Sequence, residues 1–358
     1  MKRRMTVLAA ALVLVAGSVP GQLAAEPYLA VRTGLKCGVC HVNRTGGGGR
    51  NLFGSQWAQT ALPRQALGTR DRALNEWLSV GFDVRTLATA LVSEADPRTN
   101  LEMNEAQVQL EARLAPRKLA LYLDQTVGPD RAFAREAFVL AEDLPLGGYA
   151  KAGKFMPAYG WRLWDDPAFI RSRTGFTYLT PDLGVEVGIE PGPVSWFVSV
   201  TNGSFAATDN NSGKMFTSTL ALVYPSFRVG ASGSHNAGTA GNRNVVGGFA
   251  GFRLGPLVVL GEADLITTTF VSGAPDARQL VTYVEGVALV SQGVNLKATW
   301  GLHDPDRDQA DDQRTRGRFG LELFPVSFVQ VSSYYTLLDA PAGVAQRDVV
   351  SLEAHLHF

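Results

Sequence analysis

The sequence predicts an all-β protein, a transmembrane β-barrel of about 16 antiparallel strands of the outer-membrane type. Three observations predict this fold: a secretory signal at the N-terminus, a long alternation of polar and apolar residues, and turn signals that alternate between short and long. We divide the chain into a signal peptide (1–25), a small segment that plugs the lumen (26–80) and the barrel itself (81–358).

The N-terminus has the three parts of a secretory signal. Basic residues at positions 2–4 precede an apolar run (7–16), and Ala24 and Ala25 provide a small-residue cleavage site before Glu26. The apolar run has about half of the roughly 20 residues that a membrane-spanning helix needs. No later stretch is apolar for long enough, so we expect any membrane span to consist of strands.

From about residue 82 to the end, runs of roughly ten residues alternate in polarity, as strands of membrane barrels do. In the range 105–114 every odd position is Glu, Gln or Arg, and every even position is Ala, Val or Leu. The ranges 294–303 and 350–358 alternate in the same way. A period of two is typical of a strand with one wet and one apolar face. We expect the charged members of these runs to face the lumen and to form ion pairs there: Asp83, Arg85, Glu105, Glu111, Arg113, Asp124, Arg228, Glu262, Asp264, Lys297, Arg316, Arg318 and Glu322.

The turn signals differ in length from one end of the runs to the other. Short turns such as 191–193 and 292–293 alternate with longer polar stretches such as 204–213 and 304–314. This asymmetry is typical of bacterial outer-membrane barrels, which have an even number of strands. The terminal Phe358, with apolar residues at alternate positions before it, resembles the C-terminal signature of such proteins. A soluble β-sandwich or β-helix is the alternative, and the confinement of charges to one strand face argues against it.

The charge balance narrows the range of partners. The chain has 33 basic and 33 acidic residues, and nucleic-acid-binding proteins normally carry a basic excess. We therefore expect no nucleic-acid partner. The signal and the strand pattern together predict a location in the outer membrane of a Gram-negative bacterium, with lipid around the barrel.

Both cysteines of the chain lie in one motif, Cys37-Gly38-Val39-Cys40-His41, which matches the C-x-x-C-H attachment pattern of c-type haem. Two thiols at this spacing can add to the two vinyl groups of one macrocycle, and the adjacent histidine can place its imidazole beneath the iron. The sequence therefore predicts one covalent haem c, bound by Cys37, Cys40 and His41, with His41 as the metal ligand.

A redox-active disulfide pair, a partial zinc site and a chance match are the alternatives to haem attachment. A zinc site would need further ligands nearby, and the next histidine after His41 is His235. A thioredoxin-like pair would lie beside a βαβ pattern, which the sequence lacks.

The residues around the motif suggest how a haem would be covered. Four glycines (46–49) either let the backbone pack closely on a porphyrin or form a flexible loop. Leu52, Phe53 and Trp57 offer apolar contacts. The stretch from Glu26 to about Pro63 is too small to enclose a haem alone, because chains below roughly 40 residues rarely build a sufficient core, so the barrel has to cover the cofactor. Residues 66–79 are predicted to form a short helix that leads into the first strand.

The second axial ligand is not singled out by the sequence. Strand parity places His235 toward lipid and excludes it. We expect the remaining candidates to face the lumen, and we favour a methionine of the barrel wall, although each of these residues is individually more often a packed side chain than a ligand. The candidates are Met103, Met156, Met215, His303, His355 and His357.

A haem motif ahead of a complete barrel resembles the fused monohaem cytochrome c–porin family of outer-membrane electron conduits, which includes iron oxidases. The lead-in 32–37 and the dipeptide Phe53-Gly54 look like the N-terminal pattern of that family, whereas the glycine run 46–49 departs from it. Residues 148–162 are similar to phosphate-selective porins.

The resemblance implies an electron conduit that connects an extracellular donor, such as Fe(II), or acceptor with a periplasmic carrier, such as a soluble cytochrome. The acidic loop 304–312 could gather cations at the outer surface, although a solvated loop is the simpler interpretation. Two other functions stay open: a porin gated or plugged by its haem segment, and a haem-based sensor or peroxidase-like enzyme. The residues do not decide whether the chain is an enzyme that oxidises Fe(II).

Overall fold

The computed structural model describes residues 26–92, 98–128, 132–205, 207–209, 211–239, 241–341 and 348–358, so the predicted signal peptide (1–25) lies outside the described residues. Within these ranges, sixteen antiparallel strands close into one barrel, each strand pairing with its sequence neighbours and β1 with β16. The predicted fold class and strand number are confirmed. The strands are β1 Leu78–Val92, β2 Arg98–Ala115, β3 Leu119–Gly128, β4 Phe133–Leu144, β5 Gly148–Phe155, β6 Asp182–Ile189, β7 Val194–Thr201, β8 Met215–Val223, β9 Phe227–Gly238, β10 Gly241–Leu254, β11 Leu257–Phe270, β12 Ala277–Ser291, β13 Val294–Asp304, β14 Arg314–Leu323, β15 Val329–Asp339 and β16 Asp348–His357.

The two faces of each strand differ as the alternation predicts. On β13, Asn295 and Lys297 are buried in the lumen, whereas Leu296 and Trp300 on the other face are nearly half exposed. Successive side chains of a strand point to opposite faces, so one register serves both the polar interior and the apolar exterior. An apolar outer face suits a lipid surround.

The two ends of the barrel are unequal. Turns of a few residues, such as 255–256 and 292–293, join the strands at one end, where Leu78 begins β1 and the chain ends at Phe358. In outer-membrane barrels the short turns face the periplasm. At the other end the longest connection, residues 156–181, folds into the lumen and carries the short helix α4 (Phe169–Ser172). We call residues 156–181 the inward loop.

The N-terminal segment forms three short helices inside the barrel: α1 (Pro27–Thr33), α2 (Cys37–Cys40) and α3 (Leu52–Thr60). Pro27 begins α1, and Gly34 ends it with a φ of +69°, which glycine adopts at little cost. No helix among the described residues is long and apolar enough to cross a membrane.

The helix predicted over residues 66–79 is wrong. This stretch is irregular, and β1 begins within it at Leu78. Side-chain carboxyl and amide oxygens accept backbone hydrogen bonds locally: Asp71 Oδ1 from Ala73 N (2.9 Å), and Asn75 Oδ1 from Trp77 N (2.8 Å). Such local bonds compete with the helix, and the segment buries no apolar face that would favour helix formation.

Candidate haem-attachment site

Residues Cys37–Cys40 of the motif form one helical turn, α2, which borders a cavity inside the barrel. The backbone N–H of His41 donates to Cys37 O (3.0 Å), which closes the turn. Both cysteines are free thiols. Cys37, Cys40 and His41 all line a single cavity. The structure therefore brings the three predicted site residues together.

The cavity lies between the N-terminal segment, the inward loop and the barrel wall. It encloses about 1220 Å³ of empty space, part of which is open to solvent. Its apolar lining comes from all three parts, including Leu29, Trp57, Trp161, Val223 and Phe249. The barrel thus covers the motif, as the small size of the segment requires.

Only one of the three predicted apolar contacts lies at the cavity. Trp57 lines it, but Leu52 and Phe53 are about half exposed and do not. Helix α3 turns its small residues toward the segment, with Gly54 and Ala58 buried, so its first two side chains point away.

The glycine run forms part of the cavity wall. Gly46, Gly47 and Gly48 have φ angles of +90°, +77° and +60°, a conformation that favours glycine. Gly46 and Gly47 line the cavity, and a β-carbon on Gly46 would lie 3.3 Å from Cys37 Sγ. Of the two interpretations of this run, the geometry favours close backbone packing over a flexible loop.

His41 is held in the form that binds metals. Burial first, and then the charges of Arg50 and Arg162, lower the pKa of His41 to about 3, so the imidazole is neutral at pH 7. Neutral imidazole is the ligand form of histidine. Its Nδ1 is buried without a hydrogen-bond partner among the described residues. A buried polar atom without a partner indicates a site for a group that the chain itself does not supply.

The surroundings of the two thiols bear on the alternative of a zinc site. Burial raises the pKa of the Cys40 thiol to about 11, with nearby Cys37 adding to the shift. Within the described ranges, no group of three or more His, Cys, Asp or Glu side chains could hold a metal ion. Two thiols, one neutral imidazole and a cavity with largely apolar walls fit a covalently attached haem c better than a zinc site.

A buried polar cluster fastens the motif to the barrel wall on one side. Asn43 Nδ2 donates to Glu136 Oε1 (2.8 Å), and Lys151 Nζ donates to Asn43 Oδ1 (2.9 Å). Lys151 also pairs with Glu186 at 2.9 Å. These side chains are fully or almost fully buried. The sequence alone does not indicate this cluster, because nothing in the local sequence marks Asn43.

Further contacts fasten the residues that flank the haem motif. Arg44 Nη2 pairs with Glu190 Oε2 at 2.6 Å. Arg228, on β9, donates to Leu35 O (2.7 Å) and lies 3.7 Å from Cys37 Sγ. The strands therefore position the cysteine turn directly, through the predicted lumen-facing Arg228.

The N-terminal segment is bonded to the opposite wall as well. Tyr28 OH donates to Glu322, and Arg32 Nη2 donates to Asn295 Oδ1 (2.9 Å). At the short turns, Arg64 N donates to the carbonyl of Phe324 (2.7 Å). The segment is thus bonded to many strands around the barrel, which agrees with the predicted plug.

The inward loop closes the cavity from the long-loop side. Trp161 N donates to Glu262 Oε2 (2.6 Å), and Tyr159 OH donates to Asp264 Oδ1 (2.8 Å). Arg162 donates to the carbonyl of Gly46 in the glycine run. Two of the charged residues predicted to face the lumen therefore hold this loop against the wall.

None of the six candidate second axial ligands lines the cavity among the described residues. The prediction that Met103 faces the lumen is wrong. The pairing of β1 and β2 shifts register after Arg85, so Met103 pairs with the outward Thr86 and is 43% exposed. Met156 and Met215 are buried elsewhere.

The histidine candidates have other partners. His303 Nε2 lies 3.0 Å from Gln279 Oε1, and His355 Nε2 lies 2.8 Å from Asp83 Oδ1. His357 Nδ1 lies 2.8 Å from Nη1 of Arg50. The excluded His235 is exposed on the outer face, as its parity predicts.

The acidic loop 304–312 forms no metal site in the part of the chain that the structure describes. Asp308 pairs with Arg278 at 2.8 Å, and both side chains are more than half exposed. This supports the simpler interpretation of a solvated loop.

Comparison with known proteins identifies the barrel type. No family model matches the chain, and no curated protein matches it. Among solved structures, OmpT of Vibrio cholerae is similar with a TM-score of 0.61 and 14% identity, over 80% of this chain and 100% of that one. An anion-selective porin from Comamonas acidovorans has a TM-score of 0.63 and 10% identity, over 78% of this chain and 99% of that one. The channel DcaP of Acinetobacter baumannii has a TM-score of 0.58 and 13% identity, over 78% and 97%.

These similarities concern the fold. The barrel resembles outer-membrane proteins of Gram-negative bacteria, so the predicted fold class and location are confirmed. The haem and the partners in electron transfer stay predictions.

Proposed function

We propose that the protein is an outer-membrane electron conduit with one haem c, attached at Cys37 and Cys40 and ligated by His41. It is similar in its order of parts to the fused cytochrome c–porin family. The observation that carries the proposal is the position of the motif: both thiols and the imidazole border one cavity inside the lumen of a barrel whose outer face suits lipid. Electrons pass between an extracellular donor or acceptor, with Fe(II) as one candidate donor, and a periplasmic carrier such as a soluble cytochrome.

A bound haem supplies a one-electron carrier that changes charge without leaving its site. The residues of the chain position this carrier and enclose it. Arg228 and the Asn43 cluster position the cysteine turn, and the inward loop separates the cavity from the long-loop side. The plug blocks the passage of solutes through the lumen because it is bonded to the barrel wall on several sides.

The charges around the cavity suit a carrier that accepts electrons. The guanidinium groups of Arg50, Arg162 and Arg228 line the cavity and outnumber the carboxyl groups there, which belong to Glu26 and Glu190. If a haem is bound there, this positive charge would favour its reduced, less positive iron and would raise its potential. A raised potential lets the site take electrons from a weakly reducing donor.

A porin plugged by its haem segment is the second candidate. Two specific observations favour it: solved structures that are similar to this barrel include porins and a channel, and the lumen wall is lined by charged residues such as Glu262 and Lys297. The two functions differ in conductance, because a conduit is closed to solutes and a porin conducts ions.

The deciding experiment uses full-length protein in liposomes loaded with an oxidised redox dye. A membrane-impermeant reductant is added outside, and both dye reduction and ion conductance are measured. The conduit predicts dye reduction with little conductance, and loss of dye reduction in His41→Ala. His235→Ala, which changes a histidine on the lipid-facing side, is the matched control and keeps the transfer. High conductance together with transfer that is indifferent to His41 would establish the porin instead.

A further inference from the structure

The N-terminal segment carries the haem motif close to the short turns of the barrel. A β-carbon on Gly34 would lie 2.5 Å from the backbone of Pro225, in the turn between β8 and β9. Lys36 Nζ donates to Glu190 O (2.9 Å) and Val194 O (2.6 Å), at the two ends of the turn between β6 and β7. Because the short turns of outer-membrane barrels face the periplasm, the motif lies beside the periplasmic mouth of the lumen.

Three apolar side chains next to the motif are exposed. Val39 of α2 is 39% exposed, and Leu52 and Phe53 at the start of α3 are 49% and 47% exposed. Asn51 Nδ2 donates to Val39 O (3.0 Å), and Asn51 N donates to Cys40 O (3.0 Å), so the two helical turns that carry these side chains are in direct contact. We call Val39, Leu52 and Phe53 the apolar face.

The apolar face differs in its surroundings from the exposed apolar residues of the strands. Leu296 and Trp300, for example, point outward from β13, where lipid covers them. The N-terminal segment lies inside the barrel, so lipid does not reach the apolar face. Apolar side chains grouped on a surface that faces water are typical of a contact with another protein.

The exposed charge at this end of the barrel is mainly basic. Arg64 and Arg70 follow α3 in the chain, and both are exposed without an ion pair to another described residue. Among the described residues, the exposed charged side chains of the segment and the short turns are Arg64, Arg70, Arg117, Lys118 and Arg253, against Asp71, Glu76 and Asp143. Asp143 is already shared by Arg117 (3.5 Å) and Lys118 (3.6 Å). Such a balance of charge attracts an acidic partner.

We propose that the apolar face is the docking site of the periplasmic electron carrier, and that this carrier is a soluble redox protein with apolar side chains around its cofactor edge and an acidic rim. The inference rests on the proposed function and names the partner surface of the same electron path. Apolar contact excludes water next to Cys40, and the basic side chains steer the carrier to this mouth. Transient electron-transfer interfaces bury less than about 1,200 Å², which suits a face of three side chains with a charged surround.

The test measures electron transfer between full-length, haem-loaded protein in lipid nanodiscs and purified carriers, by stopped-flow absorbance. The probes are an acidic and a basic soluble monohaem cytochrome c of similar potential. The acidic carrier is expected to exchange electrons faster, and added salt is expected to slow it because screening weakens the attraction. Equal rates for the two carriers, or a faster basic carrier, overturn the inference.

The double variant Leu52→Ser plus Phe53→Ser tests the apolar face itself. We expect it to lower the second-order rate constant with the acidic carrier about tenfold, as substitutions at the centre of an interface do. Leu101→Ser is the matched control and is expected to keep the rate, because Leu101 is 78% exposed at the long-loop end of β2. A double variant that transfers electrons as fast as this control overturns the inference.

A charge variant gives an independent measurement, and it decides the matter if the serine variant fails to fold, which gel mobility before and after boiling reveals. Arg64→Glu plus Arg70→Glu is expected to slow the acidic carrier and to speed the basic one. Unchanged rates with both carriers overturn the inference.

Two further outcomes separate the docking site from its alternatives. Light scattering in detergent counts the copies in each particle, and a lower count in Leu52→Ser plus Phe53→Ser would make the apolar face a contact between copies and overturn the inference. Dye reduction in liposomes by the intact protein, with carrier rates indifferent to all these variants, overturns the docking site and leaves the proposed function intact. Failure of the intact protein to reduce the enclosed dye overturns both.

Discussion

The carbonyl oxygen of Cys40 occupies the position that a β-carbon on Gly54 would need. Helix α3 therefore packs backbone-to-backbone on the cysteine turn. Asn51, which caps α3, strengthens the contact: its N–H donates to Cys40 O (3.0 Å), and its Nδ2 donates to Val39 O (3.0 Å). The turn is shaped by this helix before any cofactor is attached.

We expect Gly54→Ala to reduce haem attachment severely. The added methyl group cannot be accommodated without moving α3 away from Cys40, and overpacking of this kind costs about 1–3 kcal/mol or more. Haem per barrel, measured by absorbance and by peroxidase stain on denaturing gels, reports the effect. Gly286→Ala is the matched control, because a β-carbon there meets nothing within 4 Å. Equal haem content in the two variants would contradict the packing argument.

We expect Asn43→Ala to loosen the plug. The substitution removes the bonds that Asn43 makes to Glu136 and Lys151, and a hydrogen bond to a charged group contributes about 1.5–3 kcal/mol. The midpoint of thermal unfolding, followed by haem absorbance, should fall, and channel opening should become more frequent in planar bilayers. Asn211→Ala, in a loop at the other end of the barrel, serves as the control. An unchanged midpoint in Asn43→Ala would show that the cluster does not hold the segment.

The strands, and the grouping of the three residues of the candidate attachment motif, could be predicted because their signals are local. Strand faces follow from a period of two along one run, so Lys297 and Leu296 could be assigned to opposite faces without knowing their neighbours. The three residues Cys37, Cys40 and His41 lie within five positions, and their chemistry depends on that spacing. The tertiary structure places these three residues at one cavity, but their grouping follows from the sequence alone.

The rest of the site depends on contacts between residues far apart in the sequence. Asn43 and Lys151 are 108 positions apart, and either one alone is an ordinary polar residue. Parity also failed at Met103, because the irregular pairing between Arg85 and Thr86 reverses the faces of the β2 residues that precede Glu105. The inward loop could not be predicted for the same reason, since Glu262 and Asp264 bind it from strand β11.

We expect Arg162→Gln to lower the midpoint potential of the haem. Arg162 lies at the cavity and close enough to His41 to lower its pKa, so removal of its charge destabilises the reduced iron. A unit charge several ångströms away is worth a shift on the order of tens of millivolts. Spectroelectrochemical titration measures it. Arg162→Lys keeps the charge and should retain most of the potential; an equal fall in both variants would assign the effect to the lost bond with Gly46.

We expect deletion of residues 27–70, with the signal peptide kept, to convert the closed barrel into an ion channel. The deletion removes α1, α2 and α3 but spares β1, which begins at Leu78, so the strand pairing that closes the barrel is preserved. Single-channel recording in planar bilayers should then show stable conductance, limited by the inward loop, whereas the intact protein should show little. Slower gel migration after boiling checks that the truncated barrel still folds.

The double variant Cys37→Ala plus Cys40→Ala separates the plug from the haem in this experiment. Its segment keeps the bonds of Tyr28, Arg44 and Asn43 to the wall, none of which involves a thiol. If the polypeptide itself blocks the lumen, the double variant stays closed although it carries no covalent haem. If it conducts as the deletion does, the cofactor is what completes the plug, and the contacts between segment and wall are not sufficient to close the barrel.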